Sequence, residues 1–126
     1  MGPGAEEAWM KITVNQRDTW TQLELAGILD ADAGPGVYLS FQRELYQGRS
    51  HFIFDLGEVE RVDSAGLGAL VRCYKDARAR GGTLMLAAVP EPIERILEFT
   101  RLNTIFPIAG ADPSPDTSAD GKREAA

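Results

Sequence analysis

The residues best suited to chemistry lie together in one stretch, VDSAGLGALV, at positions 62–71. Asp63 and Ser64 stand where a helix is expected to begin, and two glycines, Gly66 and Gly68, follow within its first turns. A serine hydroxyl can act as a nucleophile, cap the free N–H groups of a helix or accept a phosphate. The remaining side chains of the sequence help to choose between these roles.

Nucleophilic catalysis lacks the partners that a serine needs. Ser64 lies in DSAGLG and not in the G-x-S-x-G elbow of hydrolases, and the only histidine, His51, opens an apolar segment of strand length. One cysteine, Cys73, and one histidine are too few for a structural zinc site. The short GLG and GPG pieces fall far short of a phosphate-binding P-loop. We therefore expect no enzyme activity, no catalytic residue, no metal and no cofactor.

A helix cap or a modification site remains. Either Asp63 or Ser64 could accept hydrogen bonds from the first N–H groups of the helix. The glycines weaken a helix by roughly 1 kcal/mol each relative to alanine, but they leave its start bare, so that another molecule can approach the backbone. A phosphate on Ser64 would add a charge of about −1.5 to −2 beside Asp63 and would repel an acidic partner surface. The stretch therefore predicts an exposed hydroxyl that a partner protein recognises.

Composition and charge exclude several classes of protein. The 126 residues fit one domain, and a hydrophobic share of 44% suffices for one core. The net charge is −6 and no basic stripe exists, so we expect neither direct binding to nucleic acid nor a polybasic membrane patch. No apolar run approaches the roughly 18–20 residues that cross a bilayer, and the first residues lack the pattern of a secretory signal. We expect a cytoplasmic domain without membrane insertion.

Two strands and a helix are predicted in the first half of the chain. Apolar and polar residues alternate over 10–14 and again over 21–29, as in half-buried strands. The polar residues 15–18 supply a turn between them, which predicts an antiparallel hairpin. The segment 27–36, GILDADAGPG, breaks the strand pattern, and apolar residues at helical spacing predict a helix over 35–46.

Strands and helices alternate in the second half. The apolar run HFIFDL predicts a central strand covered on both faces, and LGEVERV leaves it as a loop. The predicted elements are strand 51–56, helix 64–80, strand 83–89, helix 90–102 and a short edge strand at 105–108. Strand–helix–strand segments require parallel pairing through right-handed crossovers. The order β-β-α-β-α-β-α-(β) predicts an α/β fold: a small mixed sheet of four to five strands, with an N-terminal antiparallel hairpin and then parallel β-α-β units, packed with three to four helices.

The two ends of the chain differ in composition from its centre. Residues 1–8 are small and polar, and residues 109–126 contain no large apolar side chain. Such segments bury too little surface to offset the entropy lost on ordering. We expect a flexible N-terminus, a single domain over 9–108 and a disordered tail over 109–126.

Several motifs occur in a fixed order along the chain. They are GILD at 27–30, FIFDL at 52–56, VDSAGLGAL at 62–70, and a closing strand, helix and phenylalanine over 78–106. On these motifs the sequence, from about residue 10 to 108, resembles the STAS domains of bacterial anti-sigma-factor antagonists, the anti-anti-sigma factors. The most specific part of the match is V-D-S-x-G-L-G after a strand that ends in D-L.

The resemblance implies a function for the opening stretch. In that family, an anti-sigma factor that is also a serine kinase, with an ATP site of the histidine-kinase type, phosphorylates the serine after the aspartate; here this is Ser64. The unphosphorylated antagonist binds the anti-sigma factor and frees the sigma factor, phosphorylation releases it, and a serine phosphatase resets the cycle. By the same analogy, the docking face is lined by Asp30, Asp63, Ser64, Ala65, Gly66 and Leu67.

Two residues depart from the family pattern. The position after the acceptor, commonly Ser or Thr, is Ala65, which leaves Ser64 as the only hydroxyl at the site. Arg101 stands where a glycine often ends the last helix. The resemblance therefore does not determine how that helix ends or how residues 100–108 pack.

Other functions share this fold and site. The chain could be a STAS scaffold or adaptor in another signalling complex, in which Ser64 is still phosphorylated. It could also be the soluble STAS subunit of a lipid-transport ATPase, with the start of the helix docked to a nucleotide-binding subunit. The retained acceptor serine weighs against that subunit, because docking alone needs no hydroxyl. An enzyme is the least supported alternative.

Overall fold

The computed structural model describes residues 10–109, so the predicted flexible N-terminus and the predicted tail beyond Ala109 lie outside the described residues. In chain order the elements are β1 (Lys11–Arg17), β2 (Trp20–Leu29), α1 (Gly34–Tyr46), β3 (His51–Val62), α2 (Ser64–Ala79), β4 (Thr83–Ala87), α3 (Glu91–Phe99) and a 3-10 turn (Leu102–Thr104). The strands form one sheet in the order β1-β2-β3-β4, antiparallel between β1 and β2 and parallel across the other two pairs. The predicted mixed α/β fold is confirmed.

The N-terminal hairpin is longer than the sequence predicts. Residues 15–17, assigned to the turn, continue β1, and the last pair of the hairpin joins Arg17 to Trp20. The turn is therefore only two residues long, and Asp18 adopts a left-handed backbone conformation with φ of 57°. Aspartate tolerates that conformation better than most residues. Backbone pairing along the antiparallel ladder extends β1 although its last side chains are polar.

The two central strands run beyond the points where their sequence patterns break. β2 continues through Gly27, whose φ of 122° suits glycine, and its pairing with β3 is irregular nearby. β3 extends over the segment LGEVERV, where Val59 is buried, and ends with Val62 paired to Leu29. The predicted break at 27 and the predicted loop after residue 56 are therefore wrong, since cross-strand pairing continues through both.

The helices cover one face of the sheet. Phe41 of α1 packs on Phe52 and Phe54 of β3, with ring centroids 4.7 and 6.2 Å apart. Buried residues of α2 and α3 belong to the same apolar cluster. On the opposite face the side chain of Gln22 donates to Asp55 over 3.3 Å. Within residues 10–109 the helices thus pack on the face of β3 that carries Phe52 and Phe54, while Ile53 on the opposite face is also buried, between the polar side chains of Gln22 and Asp55 along that face.

The last part of the described chain adds little to the sheet. The predicted edge strand at 105–108 is a single parallel bridge between Leu86 and Ile108. The carbonyl of Pro107 accepts from the N–H of Leu86 over 2.9 Å, and at this edge the missing N–H of proline is tolerated. Arg101 has φ of 67°, the left-handed conformation that often follows a helix and that glycine adopts more easily.

Candidate functional site

The carboxyl ends of β2 and β3 lie side by side, because the strands are parallel and their last residues, Leu29 and Val62, are paired. The backbone N–H of Asp63 donates to the carbonyl of Leu29 over 3.2 Å. Asp30 directly follows Leu29, so this pairing places Asp30 and Asp63 at one edge of the sheet. In open α/β sheets this edge is where ligands usually bind.

Asp63 caps α2, and Ser64 does not. The backbone of Asp63 is extended, with φ −115° and ψ −175°, and its Oδ1 accepts the N–H of Gly66 over 2.9 Å. Ser64 is the first residue of the helix and is exposed. Within residues 10–109 no hydrogen bond involves its hydroxyl. Of the two capping residues that the sequence allowed, the structure therefore selects Asp63, and the hydroxyl of Ser64 is available to another molecule.

Asp30 organises the neighbouring loop in a similar way. Its Oδ1 accepts the backbone N–H groups of Asp32 and Ala33 over 3.0 and 3.1 Å, and its carbonyl accepts the N–H of Gly34 over 2.9 Å. These bonds form the turn from which α1 begins. Asp30 is half-buried, whereas Asp63 and Ser64 are exposed. The two loops that meet at this edge carry three aspartates, Asp30, Asp32 and Asp63, and Asp63 is directly before the serine.

The two glycines of the motif have different roles. A Cβ at Gly66 would lie 2.1 Å from the carbonyl oxygen of Leu29, so only glycine lets α2 pack this closely on the end of β2. A Cβ at Gly68 would meet nothing within 4 Å. Leu67 is only 7% exposed and belongs to the core. The sequence placed Gly66 and Leu67 on the docking face, but the structure turns both inward, where they seat the helix.

An open groove begins at Ala65 and runs between the outer sides of α1 and α2. Its volume is about 550 Å³. On the α2 side the lining residues Ala65, Gly68 and Ala69 are small and project little into the groove. The α1 side carries Leu39, which is 51% exposed. The sequence analysis missed this groove. An available signal was Leu39, an apolar residue outside the buried stripe of α1.

Polar groups lie along the groove past Ala69. The guanidinium of Arg72 stacks on the ring of Tyr38, 3.9 Å from its centroid. The hydroxyl of Tyr38 donates to Asp76 of α2, and this hydrogen bond, with some burial, raises the pKa of Tyr38. Cys73, on the same helix, faces the core, and burial raises the pKa of its thiol. The thiol is therefore protonated and packed as a small apolar group.

The other candidates for chemistry lie elsewhere. His51 opens β3, at the opposite end of that strand from Ser64, where it contacts Trp20 edge to face and its Nδ1 lies 2.9 Å from Ser50 Oγ. It cannot act as a base for Ser64. Over residues 10–109 no group of three or more ligand side chains could hold a metal ion. In the same range, no helix is long and apolar enough to cross a membrane.

Comparisons of sequence identify the family of the chain. The model of the STAS domain family matches residues 11–111. The anti-sigma-B factor antagonist of Listeria monocytogenes is 32% identical over 106 residues, which cover 82% of this chain and 91% of that protein. The chain belongs to the STAS domain family, as its motifs predicted.

Solved structures show the same fold. An anti-sigma factor antagonist from Mycobacterium paratuberculosis superposes with a TM-score of 0.75 at 21% identity, covering 91% of this chain and 95% of that one. The Bacillus cell fate determinant SpoIIAA in its phosphorylated form superposes with a TM-score of 0.65 at 17% identity, covering 87% and 97%. Because these sequence identities are low, the structural similarity establishes the fold and nothing further.

Proposed function

We propose that the protein is an anti-sigma factor antagonist that is switched off by phosphorylation of Ser64. The observation that carries the proposal is the hydroxyl of Ser64: it is exposed at the start of α2 and takes no part in the cap, which Asp63 supplies. A hydroxyl without a structural role, at the edge where such sheets bind partners, is suited to modification. The relative in Listeria monocytogenes is named for the same activity.

The partner is an anti-sigma factor that is also a serine kinase with an ATP site of the histidine-kinase type. In its unphosphorylated form the protein holds that factor, and a sigma factor is released. A serine phosphatase restores the binding form. The docking face contains Asp30, Asp63, Ser64 and Ala65, while Gly66 and Leu67 fix the position of α2 from beneath.

Phosphorylation acts on the surface and not on the fold. The carboxylate of Asp63 already accepts the N–H of Gly66, and Asp30 uses its carboxylate for its own turn. A phosphate on Ser64 therefore adds about −1.5 to −2 charge next to two existing negative groups. An interface fitted to a small neutral hydroxyl would have to desolvate that charge, which is strongly unfavourable without a new cation. The complex dissociates while the protein stays folded.

The test is to purify the protein from its native cells and map phosphate by mass spectrometry. Ser64→Ala and Ser64→Asp variants are purified in parallel with their bound proteins. We expect phosphate on Ser64, retention of a kinase-like partner by the Ala variant and loss of that partner by the Asp variant. Asn103→Asp is the matched control, since it adds one negative charge at an exposed position of the 3-10 turn.

Two results would contradict the proposal. One is an unmodified Ser64 in cells, together with the same partner on wild type, Ser64→Ala and Ser64→Asp. The other is a partner that Asn103→Asp loses as readily as Ser64→Asp, since this would show a general effect of charge. In either case the protein would act as a STAS scaffold or as a transporter subunit.

A further inference from the structure

The groove that starts beside Ser64 is followed by a separate depression further along α1 and α2. Tyr38 and Gln42 line both the first depression and a second one of about 220 Å³ further along, which ends at Tyr46 and Arg80. The guanidinium of Arg80 lies 5.5 Å from the centroid of Tyr46, as that of Arg72 lies over Tyr38. Each depression therefore contains an arginine on a tyrosine ring.

These cations lack carboxylate partners in the described chain. Between residues 10 and 109 the ion pairs are Arg49–Glu44 and Arg95–Glu91, and neither involves α2. The acidic side chain nearest to them on α2 is Asp76, which accepts the hydroxyl of Tyr38. Stacking on a tyrosine ring holds each guanidinium in place and leaves its N–H groups free for an acceptor.

The charge of the exposed side of α2 is opposite to that of the chain. Arg72, Lys75, Arg78 and the C-cap residue Arg80 are all exposed, with Asp76 as their acidic neighbour. The chain as a whole has a net charge of −6. A local basic surface on an acidic protein attracts an acidic partner surface and orients it.

The apolar part of the groove lies between Arg72 and the phosphoacceptor. Exposed Leu39 and Pro35 form one side, and the small residues of α2 form the other. At Gly68 there is free space into which a partner side chain can enter. A partner segment with an apolar side chain next to an acidic one would fill the apolar part of this depression and pair with Arg72.

We propose that this groove holds a segment of the anti-sigma factor in which an apolar side chain is followed by acidic ones. The apolar side chain packs between Leu39 and Ala69, and a carboxylate pairs with Arg72. A second carboxylate pairs with Arg80, which is eight residues further along the helix, or about 12 Å. This inference rests on the proposed function and deepens it, because it assigns the chemistry of the partner's contact segment.

Site-specific cross-linking tests the location. A photoreactive benzoylphenylalanine replaces Leu39 in the groove or, as a control, Phe99 on α3, which is 91% exposed. After irradiation of native cells, we expect the Leu39 position to cross-link to the protein that Ser64→Ala retains, through a peptide containing Asp or Glu. The Phe99 position should not cross-link to that protein.

Charge reversal tests the chemistry with the same purified partner. We expect Arg72→Glu to weaken binding by about tenfold or more, Arg72→Lys to weaken it less, and Arg95→Glu on α3 to leave it unchanged. Replacing the acidic residue of the cross-linked peptide by arginine should restore binding to Arg72→Glu. Circular dichroism and thermal unfolding verify that each variant is folded, and Arg72→Gln serves if charge reversal unfolds the protein.

Different results would contradict the groove proposal and the proposed phosphorylation switch. If the partner retained by Ser64→Ala binds Arg72→Glu as tightly as wild type, the groove proposal is overturned while the switch stands. The groove proposal is also overturned if Leu39 cross-links only to a second copy of this chain or to a nucleic acid. If Ser64→Asp keeps the partner and the Leu39 position still cross-links to it, the proposed switch fails, while the groove is still the place where that partner binds.

Discussion

At the scale of single residues, Asp63 and Ser64 have separate tasks although they are neighbours. Asp63 satisfies an N–H group at the start of α2 that would otherwise have no partner in the helix. Ser64 is exposed and contributes no hydrogen bond within residues 10–109. A site that keeps its cap and its acceptor on different residues can be modified without loss of the helix.

This separation predicts unequal effects of two alanine substitutions on stability. Asp63→Ala should lower the free energy of unfolding by about 0.5–2 kcal/mol, because the cap is lost. Ser64→Ala should change it by less than about 0.5 kcal/mol, as is usual for an exposed side chain without partners. Urea denaturation measures both, with Asp32→Ala as the control for removing an exposed acid from the same edge. A larger effect at Ser64 than at Asp63 would assign the cap to the serine.

At the scale of secondary-structure elements, the start of α2 is held against the end of β2. Gly66 permits this contact, since a Cβ there would collide with the carbonyl of Leu29. The pairing of Leu29 with Val62 brings the loop of Asp30 to the same place. Gly68, one residue beyond Leu67, faces open space. The position of the site thus depends on one glycine and not on the other.

The two glycines therefore respond differently to alanine. Gly66→Ala should destabilise the protein by about 1–3 kcal/mol, because α2 must move away from the carbonyl of Leu29. Gly68→Ala should stabilise it by up to about 1 kcal/mol, because alanine favours the helix and has room. Thermal and urea unfolding of this matched pair measure the difference. Equal effects at the two positions would show that helix propensity alone decides, and would refute the close contact at Gly66.

At the scale of the whole molecule, the sheet and its helices support a surface whose charge the proposed phosphorylation would change. Within residues 10–109 one apolar cluster joins α1, α2 and α3 to the same face of the sheet. The loops at the start of α2 carry Asp30, Asp32 and Asp63, whereas the exposed side of the helix carries mostly basic residues. A partner with the complementary charges can bind in one orientation, since turning it around would place like charges together.

A charge at Ser64 is therefore expected to leave the fold intact. Ser64→Asp should change the free energy of unfolding by less than about 1 kcal/mol, in the stabilising direction, because the N-terminus of a helix favours negative charge. Amide chemical shifts measured by NMR should change only near residues 30–34 and 62–68. Changes spread through the sheet would instead mean that phosphorylation acts through a conformational transition.

The sequence by itself determined the class of fold, the order of its elements and the position of the motif. Alternating apolar residues defined the hairpin, and the motif around Ser64 marked the start of α2. The resemblance of its motifs to STAS domains also implied that Asp30 and Asp63 lie on one face. These features follow from local sequence patterns, from the way strands and helices are connected, or from recognisable motifs, so the sequence alone predicts them.

Only the tertiary structure decided which residues of the site are exposed at the surface and which are buried. The continuation of β3 to Val62, the burial of Gly66 and Leu67, and the groove between α1 and α2 all depend on contacts between segments distant in sequence. From the sequence, Arg72 is an ordinary charge on a solvated helix face, whereas in the structure its guanidinium lies over the ring of Tyr38. Periodicity tells which side of a helix is apolar, but the distance between two elements follows from how their side chains pack.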